Sequence, residues 1–212
     1  MNALTAQLWF ATLLISIVQA TEVDGLHVNY AASEWSAHPS GIFSYIARVG
    51  NDSPILACTR LTSTGASNLF TLHVSKGTLA PVTMASCVIV ANISGNITGY
   101  DLKGKQMFVW MVPSMKGVVA DLQRLGYGDD RVLLVHKYFP SGVRRVATEL
   151  LVLEISKDAQ PLVLQRITSR INGPVERVYV LGPTELMFVG PAETERITIP
   201  AKKDWKEGSS YK

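Results

Sequence analysis

The chain has 212 residues, 47% of them hydrophobic and 17% charged, which is enough for one substantial domain with its own core. Its 20 Lys and Arg against 17 Asp and Glu leave a net charge of only +3. The basic residues are scattered, and the densest pairs, Arg144-Arg145 and Lys202-Lys203, read as solvated surface, so nothing points to nucleic acid.

Residues 8–18 form an uncharged apolar run that ends in Val18-Gln19-Ala20 before polar Thr21-Glu22, the pattern of a signal peptide over 1–20 cleaved after Ala20. The run is shorter than the roughly 20 apolar residues that span a bilayer. It lacks a preceding Lys or Arg, so retention as an anchor stays open beside cleavage. The expected product is secreted and extracellular, with no stable membrane insertion once the signal is removed. Residues 21–40 read as an N-terminal lead-in, 41–200 as a single β domain and 201–212 as a polar tail. Trp35 lies in a loop-like stretch, 33–41, that offers it as a ligand contact.

From residue 42 onward, short apolar or alternating runs recur between Gly, Pro, Asn, Asp and Ser, the signature of an all-β domain. The predicted strands are 42–49, 55–61, 69–74, 82–93, 107–112, 131–139, 149–155, 162–167, 175–181, 185–189 and 195–199. The run 107–112 is apolar on both faces and is expected centrally in a sheet or between sheets. Residues 114–125 fit a helix capped by Ser114, with Val118, Leu122 and Leu125 on one stripe. They fit equally a strand in which Val118, Ala120 and Leu122 share a face.

Chemistry in the secretory pathway gives further expectations. Cys58 and Cys87 are the only cysteines, so an oxidising compartment would pair them as one disulfide. Asn51, Asn92 and Asn96 each open an N-x-S/T glycosylation sequon. An extended backbone would place Asn92 and Asn96 on one wet face.

A repeat emerges when the halves are aligned. Residues 69–76 (LFTLHVSK) match 150–157 (LLVLEISK), Pro81-Val82 matches Pro161-Leu162, and 106–109 matches 186–189, in nearly constant register of about 80 residues. The unit, a strand followed by Val/Ile-Ser-Lys, then Pro and a second strand, resembles the blades of secreted and surface β-propellers with LVIVD-type or WD40-like repeats. Residues 151–189 carry it best. The resemblance implies small sheets hiding their apolar faces against one another, as a small or partial propeller. A β-sandwich with a duplicated motif, or a barrel around a ligand, also accommodates many short strands.

Motifs that signal chemistry are sparse. Tyr127-Gly128-Asp129-Asp130 has the letters of a polymerase metal turn and reads here as a plain loop. His27, His38, His73 and His136 have no chelating neighbours in sequence, no G-x-S-x-G elbow occurs, and no cofactor motif is present. Tyr45, Phe108, Tyr179 and Phe188 fall on strands, where core packing is expected. The sequence thus reads as a secreted glycoprotein that binds an extracellular protein or glycan through loops. An extracellular propeller hydrolase or lactonase, and a structural fragment of a longer propeller, are the competing classes.

Overall fold

The computed structural model describes residues 34–47, 53–113, 117–126, 130–138, 146–156, 160–171 and 175–201. Among these residues there is no helix, and the strands fall into four antiparallel sheets. The first contains β1 (Glu34–His38), β2 (Ile42–Ala47), β3 (Ile55–Thr62) and β4 (Gly65–His73). The second contains β5 (Val82–Thr83), β6 (Cys87–Ala91), β7 (Asn96–Asp101) and β8 (Gln106–Met111). The third contains β9 (Gly117–Arg124), β10 (Arg131–Tyr138), β11 (Ala147–Glu154) and β12 (Leu162–Thr168). The fourth contains β13 (Arg177–Gly182), β14 (Glu185–Val189) and β15 (Thr194–Thr198). Each strand pairs only with its neighbours in sequence, so every sheet is a simple meander.

Period-two alternation explains how the sheets stack. On β6, Val88 and Val90 enter an apolar layer shared with Ile42, Ile46, Leu56 and Phe70 of the first sheet. Their neighbours Ile89 and Ala91 enter a second layer with Val132, Leu134, Leu151 and Leu153 of the third sheet. The alternate residues of those strands, Leu133, Val135, Leu150 and Val152, pack in a third layer against Val178, Leu186 and Phe188 of the fourth. The apolar runs of β10 and β11 are continuous because both of their faces are buried. Four small sheets packed face on face in this way form a partial β-propeller.

The first strands of successive sheets converge and are tied by polar contacts. The backbone N–H of Thr83 in β5 donates to the Ser36 hydroxyl oxygen at 2.9 Å, and the Thr83 hydroxyl donates to Ser36 O at 2.8 Å. Arg124, at the end of β9, donates to Thr83 O at 2.7 Å and to Ala37 O at 3.2 Å, spanning three sheets with one side chain. Gln123 donates to Val178 O of β13 at 2.9 Å. These groups satisfy buried carbonyls where no ladder reaches them.

Several expectations are corrected. The segment 114–125 contains a strand, β9, not a helix. Its pairing with β10 shifts between Val135 and His136, leaving Ala120 as an extra residue. That bulge brings Val119 and Leu122, three apart, to one buried face, while Val118 is 49% exposed and Leu125 packs in the layer on the other side of the sheet. The run 107–112 supplies β8, an edge strand with Phe108 buried and Met111 63% exposed, so it is not central. Residues 82–93 split into β5 and β6. The matched octapeptides fall on different positions, β4 at the edge of the first sheet and β11 inside the third, so repetition exists at the level of whole sheets.

Cys58 and Cys87 are both buried, and no disulfide joins them in the structure. Cys58 belongs to the layer between the first and second sheets, and Cys87 to the layer between the second and third. The second sheet therefore stands between the two sulfurs. Burial pushes the Cys58 thiol up to about 11, against the opposing pull of Arg60 and of the Thr59 backbone hydrogen bond. Thiol titration without reductant is expected to find no reaction in the native chain and two thiols after unfolding. Silence after unfolding would mean a disulfide.

Candidate functional site

The inner face of the first sheet is covered by the second, which leaves its outer face in view. On β2, Ile42, Ser44 and Ile46 point inward, so Phe43 and Tyr45 point outward. Trp35 of β1 lies opposite Tyr45 in the register and diagonal to Phe43. The Trp35 and Phe43 rings stack at 5.7 Å between centroids with planes 28° apart, and Phe43 meets Tyr45 at 5.9 Å and 40°. Diagonal aromatic contacts of this kind are favourable across antiparallel strands. Trp35 nevertheless remains 56% exposed. In the register the row continues through Ala57, which is buried, to exposed Thr71, so the aromatic platform lies on β1 and β2.

The turn that holds this platform is specific. Gly41 has φ of 81°, its N–H donates to His38 O at 3.0 Å, and a Cβ there would come within 2.6 Å of Leu61 O. Only glycine meets both demands, and it fixes the β1–β2 register that brings Trp35 over Phe43.

At the β1–β2 turn, opposite inward-facing Ile42, His38 accepts the Ser40 backbone N–H at 3.1 Å. Burial, and then the Arg124 charge, lower its basicity below the ordinary imidazole value. Because the folded state resists protonation, this group contributes stability above about pH 6.5 that is lost as pH falls toward its folded midpoint. An NMR titration is expected to place His38 below that value, and Arg124→Gln is expected to raise its midpoint. An unchanged midpoint would remove Arg124 as a cause.

Two other constellations came out of the fold. A concavity of about 330 Å³ lies between the third and fourth sheets, lined by Asp121, Lys137, Glu176, Arg177 and Tyr179 among others. It carries charges of both signs. His136, isolated in sequence, sits buried beside Glu149, with Nδ1 3.5 Å from Oε2 and its ring stacked on Tyr138 at 5.2 Å. Arg166 also donates to Glu149 at 3.2 Å, so this cluster holds β10, β11 and β12 together.

The structure separates the sites expected from sequence. Trp35 is on a strand, not a loop, and is exposed. Phe108 and Phe188 are buried, whereas Tyr179 is 41% exposed beside the concavity and Tyr45 lies on the platform. Asn92 and Asn96 flank the β6–β7 turn instead of sharing an extended face. Asn92 is committed to that turn: its Nδ2 donates to Ser75 Oγ and Lys76 O, both at 2.8 Å, and its Oδ1 accepts from the Ser94 backbone and hydroxyl. Asn96 opens β7, opposite Met111. Asn51, His27, residues 127–129 of the Tyr-Gly-Asp-Asp turn, the signal segment 1–20, Arg144-Arg145 and the tail beyond 201 lie outside the described residues. Phe43 was missed, although its spacing of two from Tyr45 was the available signal.

No family model and no curated protein matches the sequence. Among solved structures, the fold is similar to Saccharomyces cerevisiae Sqt1, with a TM-score of 0.51 at 10% identity over 73% of this chain and 40% of that one. The chain thus spans about two fifths of that protein's length. A looser likeness, TM-score 0.39 and 10% identity over 78% of this chain and 80% of the other, is to KlAtg21 in complex with the coiled-coil of AgAtg16. The architecture is that of a WD40-like β-propeller in part.

Proposed function

We propose that the chain is a secreted protein-interaction module that engages its partner through the outer face of its first sheet. One observation carries this reading: Trp35 is held over Phe43 in a fixed stack while more than half of it faces water. A rigid aromatic row contributes large contact area at little cost in side-chain entropy, and such rows are where binding energy concentrates. The sheets behind it supply the stiffness, since the inward side chains of β2 are locked in the first apolar layer.

Secretion is supported by the apolar run 8–18 and by the sequons. In this reading Asn96 is the acceptor, while Asn92, whose carboxamide closes a turn, stays unmodified. Intact-mass and peptide analysis of the product from a secreting host checks both, together with a start at Thr21. Retention inside the cell with residues 1–20 intact would overturn the secretory part alone.

The binding part is tested by a photo-crosslinking residue at Thr71, which is exposed at the end of the platform row and leaves the aromatic rings in place. Lys103, exposed in the β7–β8 turn, is the control. A discrete protein adduct from position 71 and none from 103 supports the reading. No adduct at 71, or equal adducts at both, overturns it.

A further inference from the structure

The concavity between the third and fourth sheets holds two opposite charges that do not meet. Its floor is made by Val135, Val175 and Val178, all buried. Asp121 of β9 and Lys137 of β10 line it from the third sheet, each partly buried. Asp121 lies opposite Val135, and Lys137 is two residues further along β10, so the two stand diagonally across the strand pair, about 7–8 Å apart at the backbone. Among the described residues neither takes part in an ion pair, and Lys137 makes no hydrogen bond.

Asp121 is nevertheless held in place. Its Oδ1 accepts the Leu122 backbone N–H at 2.8 Å, and its Oδ2 accepts from Gln123 Nε2 at 2.5 Å, the same amide that donates to Val178 O. Both donors are neutral, so they orient the carboxylate without cancelling its charge. Ala120, the extra residue of the β9 bulge, lines the cavity beside it. Bulges re-aim neighbouring side chains and are over-represented next to active sites. On the fourth sheet the rim is exposed: Arg177 donates to the Tyr179 hydroxyl at 3.5 Å, with exposed Glu176 next to it.

This arrangement selects a class of ligand. A simple anion drawn to Lys137 is repelled by Asp121, and a simple cation drawn to Asp121 is repelled by Lys137. A molecule carrying both charges a short distance apart satisfies both, through charge-assisted hydrogen bonds in a partly desolvated site. The volume of about 330 Å³ is at the small end of ligand pockets, which run from about 300 to 1,000 Å³. We propose that this cavity binds a free α-amino acid with an apolar side chain, its ammonium on Asp121, its carboxylate on Lys137 and its side chain on the valine floor. The site is separate from the aromatic platform, so either stands without the other.

The experiment is an NMR titration of the full chain with L-leucine, with isocaproate, which is leucine without its amine, and with isoamylamine, which is leucine without its carboxylate. Leucine should give saturable amide shifts at millimolar concentrations, centred on Asp121, Lys137 and Val178, and each one-charge analogue should bind about tenfold more weakly or worse. Asp121→Asn should weaken leucine to the level of isocaproate and leave isocaproate unchanged, and Lys137→Gln should do the same relative to isoamylamine. The analogue comparison uses the intact chain, so it decides the matter even where a variant is unstable. No saturable shift with leucine, shifts that map elsewhere, an analogue that binds as tightly as leucine, or wild-type affinity in either variant overturns the inference.

Discussion

Replacing Phe188 with alanine is expected to lower the free energy of unfolding by about 3–5 kcal/mol, read as a drop in urea midpoint at constant slope. Phe188 is fully buried in the layer between the third and fourth sheets, among Val135, Leu150, Val178 and Leu186. Its removal subtracts the transfer energy of an aromatic ring and leaves a cavity between two stiff sheets that cannot close around it. Trp35→Ala is the contrasting case. Its ring is mostly in water, so its loss should cost within about 0.5 kcal/mol. If Phe188→Ala costs as little as Trp35→Ala, the fourth sheet is not packed on the third.

The second large effect concerns a buried charge. Arg131 opens β10 and is 1% exposed, with Nη1 donating to Pro200 O at 3.1 Å and Nη2 to Pro183 O at 3.2 Å. Both acceptors belong to the fourth sheet's flanks, so the side chain pins that sheet to the third. Arg131→Met preserves much of the volume but leaves two carbonyls without these donors, at a cost of about 2–4 kcal/mol. The loss should be accompanied by faster hydrogen exchange in β14 and β15, ahead of the other sheets. Uniform exchange across the four sheets would mean that Arg131 acts on the whole fold and not on one junction.

Much of the strand pattern was legible because the apolar runs are punctuated by turn residues. The strands beginning at Ile42, Ile55, Arg131, Leu162 and Glu185 start where their sequence pattern does. What escaped has physical causes. In β1, Glu-Trp-Ser-Ala-His lacks β-branched residues and reads as a loop, yet its hairpin with β2 is imposed by the Gly41 turn. In β7, the sequon at Asn96 drew attention to modification in a segment whose Ile97 is fully buried.

The face of a strand is harder to read than its existence. β2 has apolar residues on both sides, Ile42 and Ile46 inward and Phe43 and Tyr45 outward, and only the position of the second sheet decides between them. The same holds for the cysteines. A count of two says they are able to pair, but not that a whole sheet separates them. The Pro and Gly that follow Trp35 make its stretch read as a loop offering a ligand contact, whereas its stack on Phe43 depends on register, which the sequence does not state.

The most direct test of the platform combines crosslinking with stability. The photo-crosslinking residue at position 71 is placed in the chain carrying Trp35→Ala and Phe43→Ala, and adduct yield is compared with the intact platform alongside the urea midpoint. The account predicts that the adduct is lost while the fold is retained, because the two rings lie on the outer face and contribute binding area more than core. An adduct that persists without them, or a chain that no longer folds, would contradict it.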